Sequence, residues 1–222
     1  MFLNSFLYCK KMNTHELFVE KKFSEVKKLI QPRLNLKILD IGCHDAAIIK
    51  FLPKCEYYGI DIDPKEISKL KKQGVNAEIA DLNKDPLPFQ KERFDYILLL
   101  DVLEHVINPK QLLKDTKELL KPRGKIITTL PNDYHLLNKL RFITNKHLTE
   151  DPFAPYGHLH YFPIKSGEAF LKQSNLKIIK KINIPPVKPK ILPQSIKNLL
   201  TTLAPQSFAR DVLYLLKINI YG

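Results

Sequence analysis

The sequence predicts an α/β fold built on a doubly wound, mostly parallel sheet with helices on both faces. Three stretches carry this prediction. An aliphatic run enters a tight turn in KILDIGCHDAA (37–47), as a buried central strand does when it feeds a helix. The run Tyr57–Asp61 ends in an acid and is followed by Asp63, an Asp cap before proline that starts a helix. The run Phe94–Leu100 is apolar at nearly every position, which is typical of a fully buried strand.

The other elements follow from periodicity and from helix-breaking residues. Residues 14–31 space their apolar side chains as an amphipathic N-terminal helix does, and Pro32 ends it. The remaining predicted elements are a strand at 36–41, a short helix from 46 to 53, a strand at 75–80, a helix opening at Pro109, a strand at 125–130, a helix near 165–173, and strands at 176–184 and 211–220.

Length and composition bound the class of protein. With 222 residues, 44% of them hydrophobic, the chain can bury one core, and we expect one domain. No apolar run approaches the roughly 20 residues of a membrane span. Met1–Cys9 is apolar but lacks a basic region and a cleavage site, so the true start is Met1 or Met12. The three cysteines, Cys9, Cys43 and Cys55, are odd in number and lack the spacing of metal ligands, which suits a reducing cytoplasm.

The net charge of +13 raises the possibility of a nucleic-acid partner. Most of the basic residues are lysines scattered along the chain, and arginine occurs only at 33, 93, 123, 141 and 210. Because arginine is the residue preferred for bidentate phosphate recognition, a solvated basic surface is the favoured interpretation. A nucleic-acid partner is therefore not expected.

Four stretches resemble the class I S-adenosylmethionine (SAM) methyltransferases, in the order that the family has them. KILDIGCHDAA resembles the first motif, hydrophobic-L-D-hydrophobic-G-C-G-x-G. It is followed by ADLNKDPLPF (80–89), DVLEHV (101–106) and LLKPRG (119–124). Two later segments, GHLHYFP (157–163) and PQSFARDV (205–212), resemble a broad group that includes methionine-biosynthesis-associated methyltransferase-like proteins and glycan- or lipid-linked enzymes. The resemblance implies a Rossmann-like sheet of seven strands with an antiparallel last strand, SAM as cofactor and S-adenosylhomocysteine as product.

The resemblance also implies the cofactor contacts. An acid at Asp61, about 20 residues after the glycine turn, can accept both ribose hydroxyls, whereas its alternative role is to cap the following helix. Asp81 would contact the adenine amino group with Leu82 beside the ring, or else act as a turn residue. His44 and Ala46 replace two family glycines, and a β-carbon there narrows the approach to the cofactor. The predicted cofactor-binding residues are Asp40, Gly42, His44, Asp61, Ile62, Asp81, Leu82 and Asp101.

Polar residues after the fourth strand form the candidate catalytic group with a later His-rich segment. Glu104 and His105 belong to the first part, and His158 and His160 to the second. Three interpretations remain open: a structural loop, a general base at His105 or His158, and a metal site. Asp101 begins D-x-x-E-H, which resembles the E-x-x-E-H cluster of ubiquinone O-methyltransferases and small-RNA 2′-O-methyltransferases, although its side chain is shorter. We assign His105 and His158 as catalytic and assign no metal ligand.

The expected domain organisation has four parts: a helical cap (1–33), a SAM-binding core (34–130), a substrate lid (131–163) and a C-terminal part of the sheet (164–222) with an insertion at 185–205. The expected function is cytoplasmic methyl transfer from SAM to oxygen or nitrogen of a small molecule, glycan or lipid precursor. An RNA-directed methyltransferase and a non-catalytic scaffold, the latter suggested by His44 and Ala46, are the alternatives. The oligomeric state is left open.

Overall fold

The carboxyl ends of the central parallel strands lie side by side at one end of the sheet. The computed structural model describes residues 13–144, 146, 157–187 and 192–219. Its seven strands have the order β3-β2-β1-β4-β5-β7-β6, in which β7 runs antiparallel to both neighbours. This confirms the predicted sheet. The strands are β1 Lys37–Ile41, β2 Glu56–Asp61, β3 Asn76–Ile79, β4 Phe94–Leu99, β5 Leu120–Pro131, β6 Leu176–Ile184 and β7 Asp211–Ile218.

Helices cover both faces because the strands alternate their side chains between two apolar layers. In β1, Leu39 and Ile41 face the layer that contains Leu113, whereas Ile38 faces the layer that contains Val26 and Ile67. The helices are α1 Thr14–Leu29, α2 Pro64–Lys72, α3 Pro109–Leu119, α4 Leu136–Ile143, α5 Ile164–Gln173, α6 Gln194–Leu203 and α7 Pro205–Phe208.

Side-chain caps place the first two helices. The Asn13 side chain accepts hydrogen bonds from the backbone N–H groups of His15 and Glu16. The Glu16 carboxylate in turn accepts one from the Asn13 N–H, which completes a capping box. Asp63 accepts from the backbone N–H of Lys65 and starts α2, as the sequence indicates. The two caps fix where α1 and α2 begin, and α2 begins directly after β2.

Three local expectations differ from the structure. The short segment after the glycine turn is a 3₁₀ helix, Ala47–Phe51. The strand predicted at 125–130 begins earlier, at Leu120, and residues 121–124 form an irregularity in its pairing with β4, between the pairs Phe94–Leu120 and Tyr96–Lys125. The expected lid contains α4, while its residues 147–156 lie outside the described residues, as do Met1–Met12 and 188–191 of the insertion. Within the described part of the chain, no helix combines the length and apolarity needed to cross a bilayer.

Candidate active site

The glycine turn after β1 packs directly against the loop after β4. Gly42 has a φ of 76°, and a β-carbon built on it would lie 2.7 Å from Cγ2 of Val102. The N–H groups of Gly42 and Cys43 both donate to the carbonyl of Ile60 at the end of β2. Only glycine meets both demands, a left-handed backbone and close approach. The turn is thereby held between the ends of β2 and β4.

The two non-glycine residues of the turn keep the backbone that glycines would adopt. His44 has a φ of 46° and Ala46 a φ of 52°. A left-handed conformation costs an L-residue about 1–2 kcal/mol. The His44 side chain is exposed, while Ala46 is buried. The strained turn is therefore retained despite the substitutions, and a cofactor contact by His44 stays a prediction.

Asp61 ties the turn to the end of β2. One of its carboxylate oxygens accepts from the His44 N–H at 2.7 Å and the other from the Asp63 N–H at 3.0 Å. Asp63 caps α2, so Asp61 is not the capping residue of that helix. Ile62 lies beside it with 55% of its surface exposed. A carboxylate so oriented, next to an exposed apolar side chain, suits a ribose with its attached base.

Two other predicted cofactor residues have partners of their own. Asp81 accepts from the Asn83 N–H at 3.0 Å and pairs with Lys84 at 2.9 Å, an arrangement that lowers the pKa of Asp81. Leu82 is half-buried against the core. Asp40 is buried and accepts from the Tyr57 hydroxyl at 2.8 Å. Burial raises the pKa of Asp40 to about 7, opposed by the Tyr57 hydrogen bond.

Asp101 lies two residues after the end of β4, in the wall of the site, and is bound from two sides. Its carboxylate accepts from the Thr129 hydroxyl at 2.6 Å and makes a short ion pair with Lys22 of α1. Lys22 also lies 3.6 Å from Oδ2 of Asp211, at the start of β7. Burial favours a higher pKa for Asp101, but the Lys22 ammonium outweighs it and holds that pKa below its ordinary value. One buried lysine therefore links α1, β4 and β7.

Glu104, His105 and His158 form one cluster. One ligand-capable atom of each lies within 4.8 Å of those of the other two, and the two imidazole rings meet edge to face at 5.0 Å. The proximity has a backbone cause, since the N–H groups of Leu159 and His160 both donate to the Glu104 carbonyl. The predicted proximity of His105 and His158 is thus present, while their catalytic roles stay predictions.

Hydrogen-bond partners assign the tautomers of both imidazoles. Nδ1 of His105 lies 3.2 Å from the Gly157 carbonyl, which can only accept, so Nδ1 carries the proton. Nδ1 of His158 lies 3.0 Å from Oδ1 of Asp133 and donates to that carboxylate in the same way. In both rings the lone pair is consequently on Nε2. A neutral imidazole in this state can accept a proton or bind a metal ion.

Glu104 completes a donor set that fits a divalent cation. Its side chain is 1% exposed, and Oε2 has no hydrogen-bond partner among the described residues. Burial raises the pKa of Glu104 well above its usual range, and the negative charge of Asp101 raises it further. One carboxylate with two imidazoles, each fixed through its other nitrogen, is a common ligand set for zinc and similar ions.

His160 does not belong to the cluster. Its Nε2 donates to the carbonyl of Val106 at 2.9 Å, so the ring serves the loop after β4. The sequence predicts that at most one histidine of the pair reaches the site and favours His158. The structure has that arrangement.

A cavity of about 850 Å³ opens in front of the cluster. This volume lies in the range of small-molecule sites, about 300–1,000 Å³. Its wall is largely apolar and comes from α1, α4, α6 and α7. The apolar residues include Phe18, Val19, Leu136, Leu140, Leu200 and Phe208. Leu136 and Leu140 are also 41% and 50% exposed, so this wall reaches solvent.

Sequence reasoning missed Lys22, Asp133 and Asp211. For Lys22 a signal existed, because it falls between Phe18 and Val26 on the apolar face of α1, where a lysine needs a buried partner. For Asp133 and Asp211 we find no such signal. Asp133 follows β5 and Asp211 begins β7, and exposed acidic residues are common at both kinds of position.

The family model described as "Methyltransferase domain" matches residues 14–181. A curated ubiquinone biosynthesis O-methyltransferase of Cereibacter sphaeroides is 32% identical over 107 residues, which are 46% of this chain and 43% of that protein. An uncharacterised protein of Methanocaldococcus jannaschii is 39% identical over 83 residues, 37% of this chain and 39% of that protein. The chain thus matches less than half the length of these relatives.

Solved structures share the fold at lower identity. The YcgJ protein of Bacillus subtilis has a TM-score of 0.61 and 15% identity, covering 91% of this chain and 100% of that one. A SAM-dependent methyltransferase from Mesorhizobium loti has a TM-score of 0.61 and 17% identity, covering 86% of this chain and 95% of that one. At such identities the likeness concerns the fold alone.

Proposed function

The chain belongs to the methyltransferase-domain family, with the class I SAM-dependent fold, and from this premise we propose that it transfers the methyl group of SAM to an oxygen of a small molecule. The single observation that carries the proposal is the cluster of Glu104, His105 and His158 beside the large cavity. The likeness to ubiquinone biosynthesis O-methyltransferases supports oxygen as the acceptor atom. A cytoplasmic location remains part of the proposal.

SAM is proposed to lie across the ends of β1, β2 and β4. Asp61 would hold the ribose, and Asp81 with Leu82 the adenine. The glycine turn follows β1 beside the end of β4, and the strand order reverses between these two strands, which is where ligands of doubly wound folds bind. Binding there directs the sulfonium methyl toward the cavity that His105 and His158 line.

The residues of the chain would supply alignment and proton removal. Methyl transfer is an in-line displacement, so holding the two reactants in line provides most of the acceleration. A hydroxyl acceptor must also lose its proton, and Nε2 of His105 or His158 can take it. Asp133 would then stabilise the His158 imidazolium, because its carboxylate already accepts from Nδ1 at 3.0 Å.

The same cluster supports a metal-assisted form of the reaction. Glu104, His105 and His158 would hold a divalent cation, which lowers the pKa of a bound hydroxyl and orients its oxygen. With the cation bound, Glu104 would be ionised despite its burial. The two forms of the proposal differ in whether chelation abolishes activity.

Calorimetry with SAM tests the cofactor site. The wild type should bind SAM, and Asp61→Ala should weaken binding by about 1–3 kcal/mol, the cost of hydrogen bonds to a charged group. Asp63→Ala is the matched control, since it removes a neighbouring acid that only caps α2. A wild type that fails to bind millimolar SAM would support the scaffold alternative instead.

Transfer of a tritiated methyl group to a catechol or phenol probe tests the cluster. His158→Gln should lower the rate by about 10²–10⁴-fold, the usual worth of acid–base catalysis. His160→Gln is the control, since its ring binds the Val106 carbonyl and not the cluster. Loss of activity with EDTA and recovery with Zn²⁺ or Mg²⁺ would select the metal form. Equal rates for the two variants would contradict the assignment of His158.

A further inference from the structure

Two helices beside the cavity bury polar side chains and expose apolar ones. In α4 the buried residue is Asn138, whose side-chain amide donates to the Asp133 carbonyl at 2.8 Å. In α6 the buried residues are Lys197 and Thr201, and both donate to backbone carbonyls. A helix that packs on a core normally has the reverse arrangement, with its apolar stripe inside. The apolar sides of α4 and α6 therefore face away from the core.

The exposed apolar side chains form one stripe along each helix. The stripe of α4 is Leu136, Leu140 and Ile143, and the stripe of α6 is Ile196, Leu199 and Leu203. Residues three or four positions apart share one side of a helix, so the members of each set lie in a row. Ile143 and Leu203 are 77% and 71% exposed. Apolar surface that is exposed in this way is typical of a binding face.

The two stripes flank the mouth of the cavity. Leu136 and Leu140 of α4 line it, as do Leu192, just before α6, and Leu200 within α6. Leu136, Leu140 and Leu192 are also exposed, so they form its rim. We call the two stripes, together with this rim, the α4–α6 face.

The charges around the α4–α6 face are positive. Segments 134–146 and 192–208, which contain both helices, have no aspartate and no glutamate. Lys139 of α4 and Lys146, just after it, are exposed. The carboxylates of Glu104, Asp133 and Asp211 also line the cavity, but they are buried. These three acids therefore lie inside the cavity and not on the outer face.

The remaining nearby acids are held elsewhere. Asp101 is paired with Lys22. On α1, Phe18 and Lys22 line the cavity, whereas Glu20 is two positions from each and so lies on the other side of that helix. Glu16 is engaged in the capping box at the start of α1.

We infer that the α4–α6 face lies on an anionic lipid bilayer, with its aliphatic side chains among the headgroups and with Lys139 and Lys146 beside lipid phosphates. Amphipathic helices that lie in a membrane interface combine an apolar side with lysine in this way. A second copy of the chain fits less well, because a symmetric contact would bring the lysines of two such faces together without an acid from either segment. The inference goes beyond the proposed function and does not rest on it.

Flotation of the full chain with lipid vesicles tests the inference. Vesicles of phosphatidylcholine with roughly one third phosphatidylglycerol carry the negative surface potential that attracts lysine. At about 0.15 M salt the chain should bind them at least about tenfold more strongly than vesicles of phosphatidylcholine alone. Equal binding to both vesicles, or no binding to either, would overturn the inference.

Apolar variants locate the contact, which is needed because a net charge of +13 attracts the whole chain to an anionic surface. The double variant Ile143→Ser, Leu203→Ser removes one exposed aliphatic side chain from each stripe. It should weaken binding to the anionic vesicles at least about tenfold. Leu34→Ser is the matched control, since Leu34 is 93% exposed and precedes β1, at the opposite end of the sheet. Equal binding by the double variant and the control would overturn the inference.

Lysine variants test the charged part of the same face. Lys139→Gln and Lys146→Gln should each weaken binding to the anionic vesicles about fivefold. Lys177→Gln is the control, because Lys177 is exposed near the start of β6, at the end of the sheet away from the cavity. A loss in Lys177→Gln as large as in the other two would mean that only the overall charge matters and would overturn the inference. Melting temperatures within a few degrees of the wild type exclude unfolding as the cause of any loss.

Two measurements separate the inference from its alternatives. In sedimentation without vesicles the chain should show no dimer that the double variant Ile143→Ser, Leu203→Ser dissociates; such a dimer would assign the face to a second copy and overturn the inference. A chain that binds vesicles through this face but does not bind SAM keeps the inference and loses the proposed function. A chain that transfers methyl groups but does not bind the vesicles keeps the function and loses the inference.

Discussion

Removing the ammonium of Lys22 should destabilise the protein more than any surface lysine can. The Lys22 side chain is 4% exposed, and its partners Asp211 and Asp101 are 7% and 41% exposed. Burial lowers the pKa of Lys22, but Asp101 and Asp211 outweigh it and raise that pKa above its ordinary value. Lys22→Met keeps the apolar stem on α1 and leaves two carboxylates without their shared cation.

The size of the effect follows from the burial of the partners. Removing one member of a buried ion pair costs about 3–5 kcal/mol, because the remaining charge is left uncompensated. Asp101 reaches solvent in part, which favours the lower end, about 3 kcal/mol. Urea unfolding followed by circular dichroism at pH 8 measures the difference. Lys21→Met is the control and should cost under about 0.5 kcal/mol, since Lys21 lies nearer the surface.

The cost should also depend on pH. Burial raises the pKa of Asp211 to about 6, and Lys22 opposes this rise. In Lys22→Met the opposition is lost, so Asp211 holds its proton to higher pH. A group whose pKa is higher in the folded than in the unfolded state contributes its full stabilisation below the unfolded pKa. That contribution is lost as pH rises through the folded pKa. The difference in unfolding free energy between Lys22→Met and the wild type should therefore be large at pH 8 and smaller at pH 5. An equal gap at both pH values, or one no larger than that of Lys21→Met, would refute this account of Lys22.

Two further predictions concern the turn after β1. The pKa of Asp40 is raised from 3.8 to about 7, so its folded-state stabilisation is complete below pH 3.8 and lost as pH rises through 7. Asp40→Asn should remove this loss, which is about 4 kcal/mol in all and roughly 2–3 kcal/mol between pH 5 and 8.5. Thermal melts should therefore show the stability of the variant rising relative to the wild type over that range, and a constant difference in melting temperature would contradict it. Gly42→Ala and Gly74→Ala share a positive φ, but only Gly42 faces a neighbour, Val102 at 2.7 Å. Urea unfolding should find Gly42→Ala less stable by a further 1–3 kcal/mol or so, with partial rescue by Val102→Ala; equal losses at both glycines would count against the close contact.

Sequence reasoning identified the elements whose cause is local. The aliphatic run before Gly42, the cap at Asp63 and the buried run of β4 each depend on neighbours within a few residues, and the structure has all three. The preference for His158 over His160 rested on the premise that the two rings point to opposite sides of an extended segment, and that premise was wrong, because side chains two residues apart on such a segment share one face. The chain bends at 159 and 160, so that His158 approaches His105 while His160 binds the Val106 carbonyl. The predicted start of the fifth strand at 125 was late, because Leu120 already pairs with Phe94, and residues 121–124 with Pro122 and Gly124 form the irregularity before the next pair, Tyr96 with Lys125.

The amino-acid sequence by itself determined the order of helices and strands, because hydrophobic periodicity and turn residues act over short spans of chain. The family and the arrangement of its sheet came from the resemblance of four stretches to known motifs. Only the tertiary structure decided which distant groups share the site: Lys22 with Asp101, 79 residues apart, and His158 with Asp133, 25 residues apart. A charge can be buried only beside its partner, and that partner is chosen by packing of whole elements.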